Sequence, residues 1–336
     1  MQRRENGMKA FSLCLSYSLL LSGCVSLQTQ EPGPASVEPH LTADAFITSD
    51  GLSLGLQVWE ADDPVAVVVG LHGMNDYSKT FSMPGPWLAD KGITTYAYDH
   101  RGFGRSPQRG IWPGTDLIVN DAKTFIEVIR ARHSDRPLYV VGVSMGAAVA
   151  IATLADDDAP SVDGLVIVSP AVWGWSSLNH FYRMSLWIAA HTFPGGTLTG
   201  RSLDRVPSDN IEMLRDNFND ELYIKETRTD AIYGLVGLME QGYKSADRVK
   251  VPTLLLYGEK DQIIPRKPVE SIMGRLGEQT RFALYENGYH MLMRDLQAET
   301  VWADILSWLQ NPQAALPSGE ELIVERATEP RLSRNE

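Results

Sequence analysis

Gly142-Val143-Ser144-Met145-Gly146 is the stretch of sequence that decides the fold of this 336-residue chain. It follows the apolar run 137–141 and precedes the alanine-rich run 147–152, so it lies where a buried strand turns into a helix. In that context G-x-S-x-G predicts a nucleophile elbow, a strained turn that lifts the serine hydroxyl above the edge of a sheet. Glycines are needed on both sides because a Cβ there would collide with the neighbouring strand and helix. Ser144 is therefore the candidate nucleophile, and the start of the helix directs backbone N–H groups towards it.

A serine hydroxyl needs a base, normally histidine, and the base needs a carboxylate to hold its tautomer. After such an elbow, the acid and then the histidine follow later strands of the sheet. His290 is the only one of the seven histidines that comes after the apolar strand predicted at 252–258. Three carboxylates, Glu259, Asp261 and Glu286, stand near the ends of the last two predicted strands. The residues alone leave the choice among these three open.

The same chemistry needs an oxyanion hole built from backbone N–H groups. One donor is expected from the residue after the nucleophile, which is Met145, and the other from the loop after the third strand. The apolar run 65–71 is that strand, and Gly73 allows its loop to approach the nucleophile closely. Met74 is therefore the second candidate donor, through its backbone only.

The chain resembles a known family in five ordered motifs that span roughly residues 45–310. The family is the α/β-hydrolase superfamily, and its monoglyceride lipase/lysophospholipase-like branch is the most similar. The motifs are Leu71-His72-Gly73-Met74-Asn75-Asp76-Tyr77-Ser78 (oxyanion loop), Tyr98-Asp99-His100-Arg101-Gly102-Phe103-Gly104-Arg105-Ser106 (D-x-R-G-x-G-x-S turn), Gly142 to Gly146 (elbow), Gly258 to Asp261 (acid turn) and Asn287 to Leu292 (histidine turn). The chain departs from the branch at Asn75-Asp76-Tyr77, where the branch has Gly-Glu-His, so the details of the acyl pocket stay open.

The resemblance implies an α/β-hydrolase fold, with a mostly parallel eight-stranded sheet, helices on both faces and a helical cap. It favours Asp261 as the acid of a Ser144, Asp261, His290 triad. It implies a serine ester hydrolase that acts on a small-molecule acyl ester of the monoacylglycerol or lysophospholipid type, without cofactor or metal. The same machinery serves thioesterases, lactonases and peptidases. From another class, a non-catalytic lipid-binding envelope scaffold on this fold is the alternative.

Strands and helices alternate along residues 44–170 and 249–310, which predicts the two parts of the core. Helices are expected at about 116–133, 145–155, 267–276 and 292–310. The intervening segment 171–248 is too long for a loop in such a fold and is expected to form the cap. Trp173 and Trp175 follow the strand before it directly, so they are the candidate acyl-pocket residues. The polar segment 311–336 is expected to be a tail, and Glu321 to Glu325 could add a short strand to the core.

The N-terminus indicates export. Basic residues precede the apolar run 10–21, which is too short to span a bilayer but fits a secretory signal peptide over 1–23. Leu21-Ser22-Gly23-Cys24 resembles a bacterial lipobox, so Cys24 is the expected site of lipidation and membrane anchoring. Val25 rather than aspartate after the cysteine favours the outer membrane, on its periplasmic face. Residues 24–43 are rich in Gln, Pro, Ser and Glu and predict a flexible tether.

Composition excludes other classes of partner. The formal net charge is −12, with 42 acidic and 30 basic residues. Such a chain does not attract nucleic acid, and electrostatic docking to anionic lipid is disfavoured for the same reason. No protein partner is indicated by the sequence.

Overall fold

Short apolar runs form the central strands of a mostly parallel sheet. Ala66–Leu71, Leu138–Val143 and Thr253–Gly258 are buried at every position, as expected for parallel strands covered on both faces. The protein is described here by a computed structural model that covers residues 26–200 and 205–322. Its strands are His40–Leu41 (β1), Ala45–Ile47 (β2), Ser53–Trp59 (β3), Ala66–Leu71 (β4), Ile93–Tyr98 (β5), Leu138–Val143 (β6), Gly164–Val168 (β7), Thr197–Leu198 (β8), Thr227–Arg228 (β9), Thr253–Gly258 (β10), Thr280–Tyr285 (β11) and Glu321–Leu322 (β12).

In these residues the main sheet has ten strands, in the order β1-β2-β3-β5-β4-β6-β7-β10-β11-β12, rather than the predicted eight. Neighbours from β5 to β11 in this order are parallel, whereas β1, β2, β3 and β12 pair in the antiparallel sense. The two additional strands, β1 and β12, are only two residues long and lie at the two edges. They arise because the chain continues along the sheet before and after the core. β12 confirms the short strand that the sequence left open at Glu321.

Helices cover both faces of the sheet, as the alternation of elements predicts. Their bounds are Pro84–Ala89 (α1), Thr115–Arg132 (α2), Met145–Leu154 (α3), His180–Thr192 (α4), Ile211–Asn219 (α5), Thr229–Ser245 (α6), Arg266–Met273 (α7) and Ala298–Gln310 (α8). α1 and α8 share one buried cluster with Val68 and Val141. α2, α3, α6 and α7 share the other with Val67 and Val140. The alternation of neighbouring valines between clusters is the two-residue period of a strand.

The last helix begins later than expected. The sequence predicts it from Leu292, but α8 starts at Ala298, and residues 291–297 form turns. Leu292 and Met293 are nevertheless buried. Their apolar spacing therefore reflects a loop that packs on the core near the sheet edge. Over a few residues such spacing cannot be told from the periodicity of a helix.

Residues 26–41 lie along the core and will be called the N-terminal strap, in contrast to the predicted flexible tether. The backbone N–H of Gln30 donates to the carbonyl of Trp112 at 3.0 Å, and its side chain is buried and donates to Ile111 at 2.8 Å. Further along, the N–H of Ser36 donates to Ser49 at 2.8 Å. Composition predicts a tether because few side chains here can be buried, but backbone pairing does not depend on side-chain type. The signal peptide and Cys24 lie outside the described residues.

The C-terminal residues 311–322 also pack on the core, whereas 323–336 lie outside the described ranges. Leu316 is buried, and the N–H of Ser318 donates to Asp304 in α8 at 2.9 Å. Arg281 pairs with Glu321 across the sheet edge at 2.5 Å. The first part of the predicted tail is thus an ordered edge of the core.

The insertion between β7 and β10 contains α4, α5, α6 and a two-stranded sheet of β8 and β9. α6 forms the base of this insertion and packs closely on α3 of the core. A methyl group added to Gly242 of α6 would lie only 3.1 Å from the carbonyl oxygen of Ala148 in α3. α4 lies against α6 on the outer side, because the ring of His191 packs on that of Tyr233 at 5.3 Å. None of the helices in the described ranges is long and apolar enough to cross a bilayer.

Candidate active site

Ser144 sits at the turn from β6 into α3 with φ 53° and ψ −113°, a conformation that non-glycine residues rarely adopt. The flanking glycines make the turn possible. A Cβ on Gly142 would lie 2.5 Å from the carbonyl oxygen of Gly146, and one on Gly146 would overlap the carbonyl oxygen of Leu71. The local geometry is that of the predicted elbow.

The structure brings Ser144, His290 and Asp261 together from the ends of three different strands. His290 Nε2 lies 3.1 Å from Ser144 Oγ, and His290 Nδ1 lies 2.8 Å from Asp261 Oδ2. The side chain of Asp261 is fully buried and that of His290 is 11% exposed. This is the hydrogen-bonded chain of nucleophile, base and orienting acid that acyl transfer requires.

The competing carboxylates point elsewhere. Glu259 lies 3.6 Å from Arg266 in an exposed ion pair, and Glu286 is exposed. Asp261 is held in place because its second oxygen, Oδ1, accepts the N–H groups of Ile263 and Ile264 at 2.7 and 3.0 Å. The geometry therefore selects Asp261 as the partner of His290.

The histidine turn is braced by two residues that the sequence analysis missed. Asp295 accepts the N–H of Tyr289 at 2.7 Å and the hydroxyl of Ser208, from the cap, at 2.6 Å. Burial raises the pKa of Asp295 above its ordinary value, against the opposing effect of these hydrogen bonds. No local sequence signal marks Ser208, because its partner lies 87 residues further along the chain.

The candidate oxyanion donors are Met145, which follows Ser144 directly, and Met74, which follows Gly73 in a neighbouring loop. Met145 is the first residue of α3, where the helix itself offers no acceptor for the N–H. The loop that carries Met74 also approaches Ser144, since a methyl group on Gly73 would lie 3.3 Å from Ser144 Cβ and 3.9 Å from its Oγ. The structure thus places Gly73, the residue before Met74, close to the nucleophile, and the role of the Met74 and Met145 N–H groups stays a prediction.

His72 orients the peptide that carries the Met74 N–H. Its Nε2 accepts the N–H of His100 at 2.8 Å, so the ring proton is on Nδ1, which donates to the carbonyl of Gly73 at 2.8 Å. Burial lowers the pKa of His72 and keeps the ring neutral. A planar trans peptide points its N–H opposite to its C=O, so this bond turns the Met74 N–H away from His72.

The residues that depart from the family pattern join the oxyanion loop to its surroundings. Asn75 Nδ2 donates to Thr227 of β9 at 2.7 Å, and the Tyr77 hydroxyl donates to Asp220 of the cap at 2.7 Å. Asp76 forms a buried ion pair with Arg294 of the histidine loop. The loop is therefore fixed by cap and core together.

The D-x-R-G turn braces this site rather than entering it. Asp99 is buried and accepts the N–H of Ser78 and the guanidinium of Arg105, both at 2.9 Å. Burial alone would raise its pKa, but these hydrogen bonds hold the pKa of Asp99 below the ordinary value. Arg101 likewise forms an ion pair with Asp121, at 2.8 Å.

Trp173 and Trp175 follow closely, along the chain, a residue whose backbone is hydrogen-bonded to Ser144. The N–H of Ala171 donates to the carbonyl of Ser144 at 3.1 Å, so the two tryptophans follow two and four residues later. Trp173 is half-buried against the core. Trp175 packs on Tyr233 at 4.9 Å and lines an open apolar groove of about 510 Å³ between α4 and α6. Their role in binding an acyl chain stays a prediction.

Comparison with known proteins places this site in a family. The sequence model of the Hydrolase_4 family, described as "Serine aminopeptidase, S33", matches residues 62–297. The chain belongs to this family. In the described ranges, no group of three or more His, Cys, Asp or Glu side chains is arranged to hold a metal ion.

Similarity to individual proteins extends over most of the chain. A monoglyceride lipase of Mus musculus is 24% identical over 302 residues, which cover 87% of this chain and 96% of that protein. A monoacylglycerol lipase of Mycolicibacterium smegmatis is 24% identical over 79% of this chain and 95% of its own length. A solved monoglyceride lipase of Saccharomyces cerevisiae, a soluble variant, superposes with a TM-score of 0.69 at 18% identity, over 85% of this chain and 100% of that chain. The fold is therefore an α/β-hydrolase fold, and the chain is monoglyceride lipase-like.

Proposed function

We propose that this carboxylic ester hydrolase cleaves acyl esters of monoacylglycerol-like lipids through an acyl-enzyme formed on Ser144. The observation that carries the proposal is the continuous hydrogen-bonded chain from Ser144 Oγ through His290 to the buried Asp261 carboxylate. The substrate class is supported by the monoglyceride lipases and monoacylglycerol lipases among the relatives.

In the proposed mechanism Ser144 Oγ attacks the ester carbonyl while His290 Nε2 takes the hydroxyl proton. Asp261 holds the other ring proton on Nδ1 and stabilises the imidazolium. The negative charge on the carbonyl oxygen is stabilised by the N–H groups of Met74 and Met145. The intermediate collapses as His290 returns the proton to the departing alcohol. A water molecule, deprotonated by His290, then releases the acid and restores Ser144.

We infer that the groove lined by Trp175 binds the acyl chain, and Trp173 lies two residues after Ala171, whose N–H donates to the carbonyl of Ser144. An acyl chain needs such a surface for binding. The acidic net charge favours uncharged glycerides over anionic phospholipids as substrates.

A fluorophosphonate probe tests the mechanism because it modifies only an activated serine. Stoichiometric labelling on the peptide that contains Ser144, abolished in Ser144→Ala with unchanged thermal unfolding, is the expected result. Folded wild-type protein that resists the probe would favour the scaffold alternative. Parallel assays with monoacylglycerols, thioesters, lactones and amino-acid anilides then separate the ester hydrolase from the other serine hydrolases, including the aminopeptidase activity named in the family description.

We also propose that Cys24 carries a lipid anchor that holds the enzyme at the outer membrane, facing the periplasm. Its support is the lipobox-like sequence Leu21 to Cys24 after an apolar signal-like segment. In a Gram-negative host the protein should partition into detergent, and Cys24→Ser should abolish acylation. An unmodified N-terminus at or beyond residue 24, found by mass spectrometry, would reject the anchor.

A further inference from the structure

The open groove between α4 and α6 combines an apolar wall with basic side chains. Its lining residues fall into an aromatic or apolar class and a basic class, which are Trp175, Met184, Trp187 and Tyr233 in the first and His180 and Arg183 in the second. None of these six is acidic. The volume of about 510 Å³ lies within the range of about 300–1,000 Å³ that small-molecule sites occupy. The groove therefore suits a ligand with an apolar body and a negatively charged group.

The apolar wall is built before any ligand arrives. The ring of Trp175 packs on that of Tyr233 with centres 4.9 Å apart, and the ring of Trp187 stacks on that of His191 at 4.4 Å. Trp187 is nevertheless 50% exposed and Met184 is 58% exposed. These contacts hold the rings in place while leaving apolar surface for a ligand to cover. Each methylene group buried there should raise the affinity by up to about fourfold.

Arg183 is held in place but keeps hydrogen-bond donors free for a ligand. Its Nε donates to the carbonyl of Leu178 at 2.8 Å, and its Nη2 donates to the carbonyl of Ser176 at 3.1 Å. Neither acceptor is charged, so neither neutralises the guanidinium. A guanidinium has five N–H donors, and those on Nη1 and the second one on Nη2 have no acceptor among the described residues. This edge of the group binds a carboxylate through two parallel hydrogen bonds.

The surroundings of Arg183 supply no anion of their own. Within residues 26–200 and 205–322, Arg183 forms no ion pair. Glu240 accepts the N–H and the hydroxyl of Ser176, both at 2.8 Å, but its other oxygen pairs with Lys244 at 2.9 Å. No aspartate or glutamate occurs in the sequence from 164 to 203. The groove is therefore locally positive, although the net charge of the whole chain is −12.

We propose that this groove binds a long-chain carboxylate, with the carboxylate on Arg183 and the alkyl chain along the indole rings of Trp175 and Trp187. His180, exposed at the start of α4, lines the same groove and adds a further donor. A neutral lipid uses only the apolar wall, and a cationic amphiphile is repelled by Arg183. The planar fork of Arg183 matches the two oxygens of a carboxylate, which a point charge does not.

The source of this ligand rests on the proposed function. Hydrolysis of an acyl ester releases a carboxylic acid, which is ionised at neutral pH because carboxyl groups titrate near pH 4. The groove that takes the acyl chain of the substrate then also retains the released acid. A retained acid covers the surface that the next acyl chain needs. We therefore expect inhibition that raises KM and leaves kcat unchanged.

Isothermal titration calorimetry on Ser144→Ala tests the binding without any turnover. Decanoate is the probe, and 1-decanol, decyltrimethylammonium and decyl phosphate are neutral, cationic and phosphate-bearing chains of the same length, all used below their micelle concentrations. Decanoate should bind at least about fivefold more tightly than 1-decanol, the size expected of one partly exposed ion pair. The difference should shrink between about 50 and about 500 mM NaCl, because salt screens the charge on Arg183.

Substitutions in the same background assign the preference to the guanidinium. Arg183→Gln should remove the preference for decanoate over 1-decanol, whereas Arg183→Lys should keep part of it, since it retains the charge without the planar fork. Trp187→Ala should weaken the binding of both chains alike. Arg215→Gln removes an exposed arginine of α5 that does not line the groove, so it is the matched control and should bind decanoate unchanged.

Equal affinities for decanoate and 1-decanol, or a preference that survives Arg183→Gln, would overturn the proposal. Tighter binding of decyl phosphate than of decanoate would also overturn it and assign the groove to a phosphate-bearing lipid. In the active enzyme, decanoate should raise KM for a decanoyl ester, and Arg183→Gln should weaken this inhibition by about fivefold. Protein that binds decanoate but hydrolyses no ester would confirm the site and refute the proposed function alone.

Discussion

Asp261→Asn is expected to lower kcat by about 10⁴ while leaving the fold intact. The structure gives the reason. Asp261 Oδ1 accepts the N–H groups of Ile263 and Ile264, so an asparagine keeps its carbonyl oxygen there and turns its NH₂ group towards His290 Nδ1. His290 Nδ1 must then accept, which moves the ring proton to Nε2, the atom that faces Ser144. A histidine protonated on Nε2 cannot take the serine proton, and a 10⁴-fold loss corresponds to about 5.5 kcal/mol.

The assay is the steady-state hydrolysis of a soluble short-chain ester at pH 7.5, with thermal unfolding measured in parallel. Glu259→Gln is the matched control, since it removes a carboxylate two residues away whose partner is Arg266 rather than His290. Its kcat should stay within about twofold of wild type, because Glu259 does not contact His290. Its thermal unfolding should change little, because an exposed ion pair contributes at most about 1 kcal/mol to stability. If Asp261→Asn keeps more than a tenth of the activity, or Glu259→Gln is inactive, the tautomer argument is refuted.

The remaining predictions concern the acyl groove, a buried ion pair and pH. An apolar groove should raise kcat/KM by up to about fourfold for each methylene added to the acyl chain, and Trp175→Ala should flatten this rise. An unchanged rise in the variant argues against acyl binding in the groove at Trp175. Asp76→Asn should lower the free energy of unfolding by about 3–5 kcal/mol, because it leaves the Arg294 guanidinium buried without its anion; urea titration checks this, and Asp76→Leu/Arg294→Met should recover much of the loss. Burial lowers the pKa of His72 and of His100. Below about pH 6.5 these two imidazoles are therefore protonated in the unfolded chain but stay neutral in the folded chain. The contribution of these two histidines to stability should therefore be constant above that pH and fall below it by up to about 1.4 kcal/mol per pH unit for each histidine; urea midpoints that agree at pH 7.5 and 5.5 would contradict this.

The sequence by itself determined the elements whose requirements are local. The elbow at Ser144 follows from two glycines where a Cβ would collide with backbone, and such a collision is the same wherever the rest of the chain lies. The central strands follow from continuous apolar runs, because a parallel strand is buried on both faces. The order of Ser144, an acid and His290 along the chain was sufficient to predict their meeting, since the carboxyl ends of parallel strands share one edge of the sheet.

Only the tertiary structure decided between residues that are equivalent in local sequence. Glu259 and Asp261 both follow β10, and contacts with Arg266 in one case and His290 in the other separate them. The N-terminal strap looked like a tether because backbone pairing leaves no trace in side-chain composition. The contacts of the oxyanion loop with Asp220 join positions more than 140 residues apart. No periodicity or local motif encodes such pairs, because they exist only once the cap has folded over the sheet.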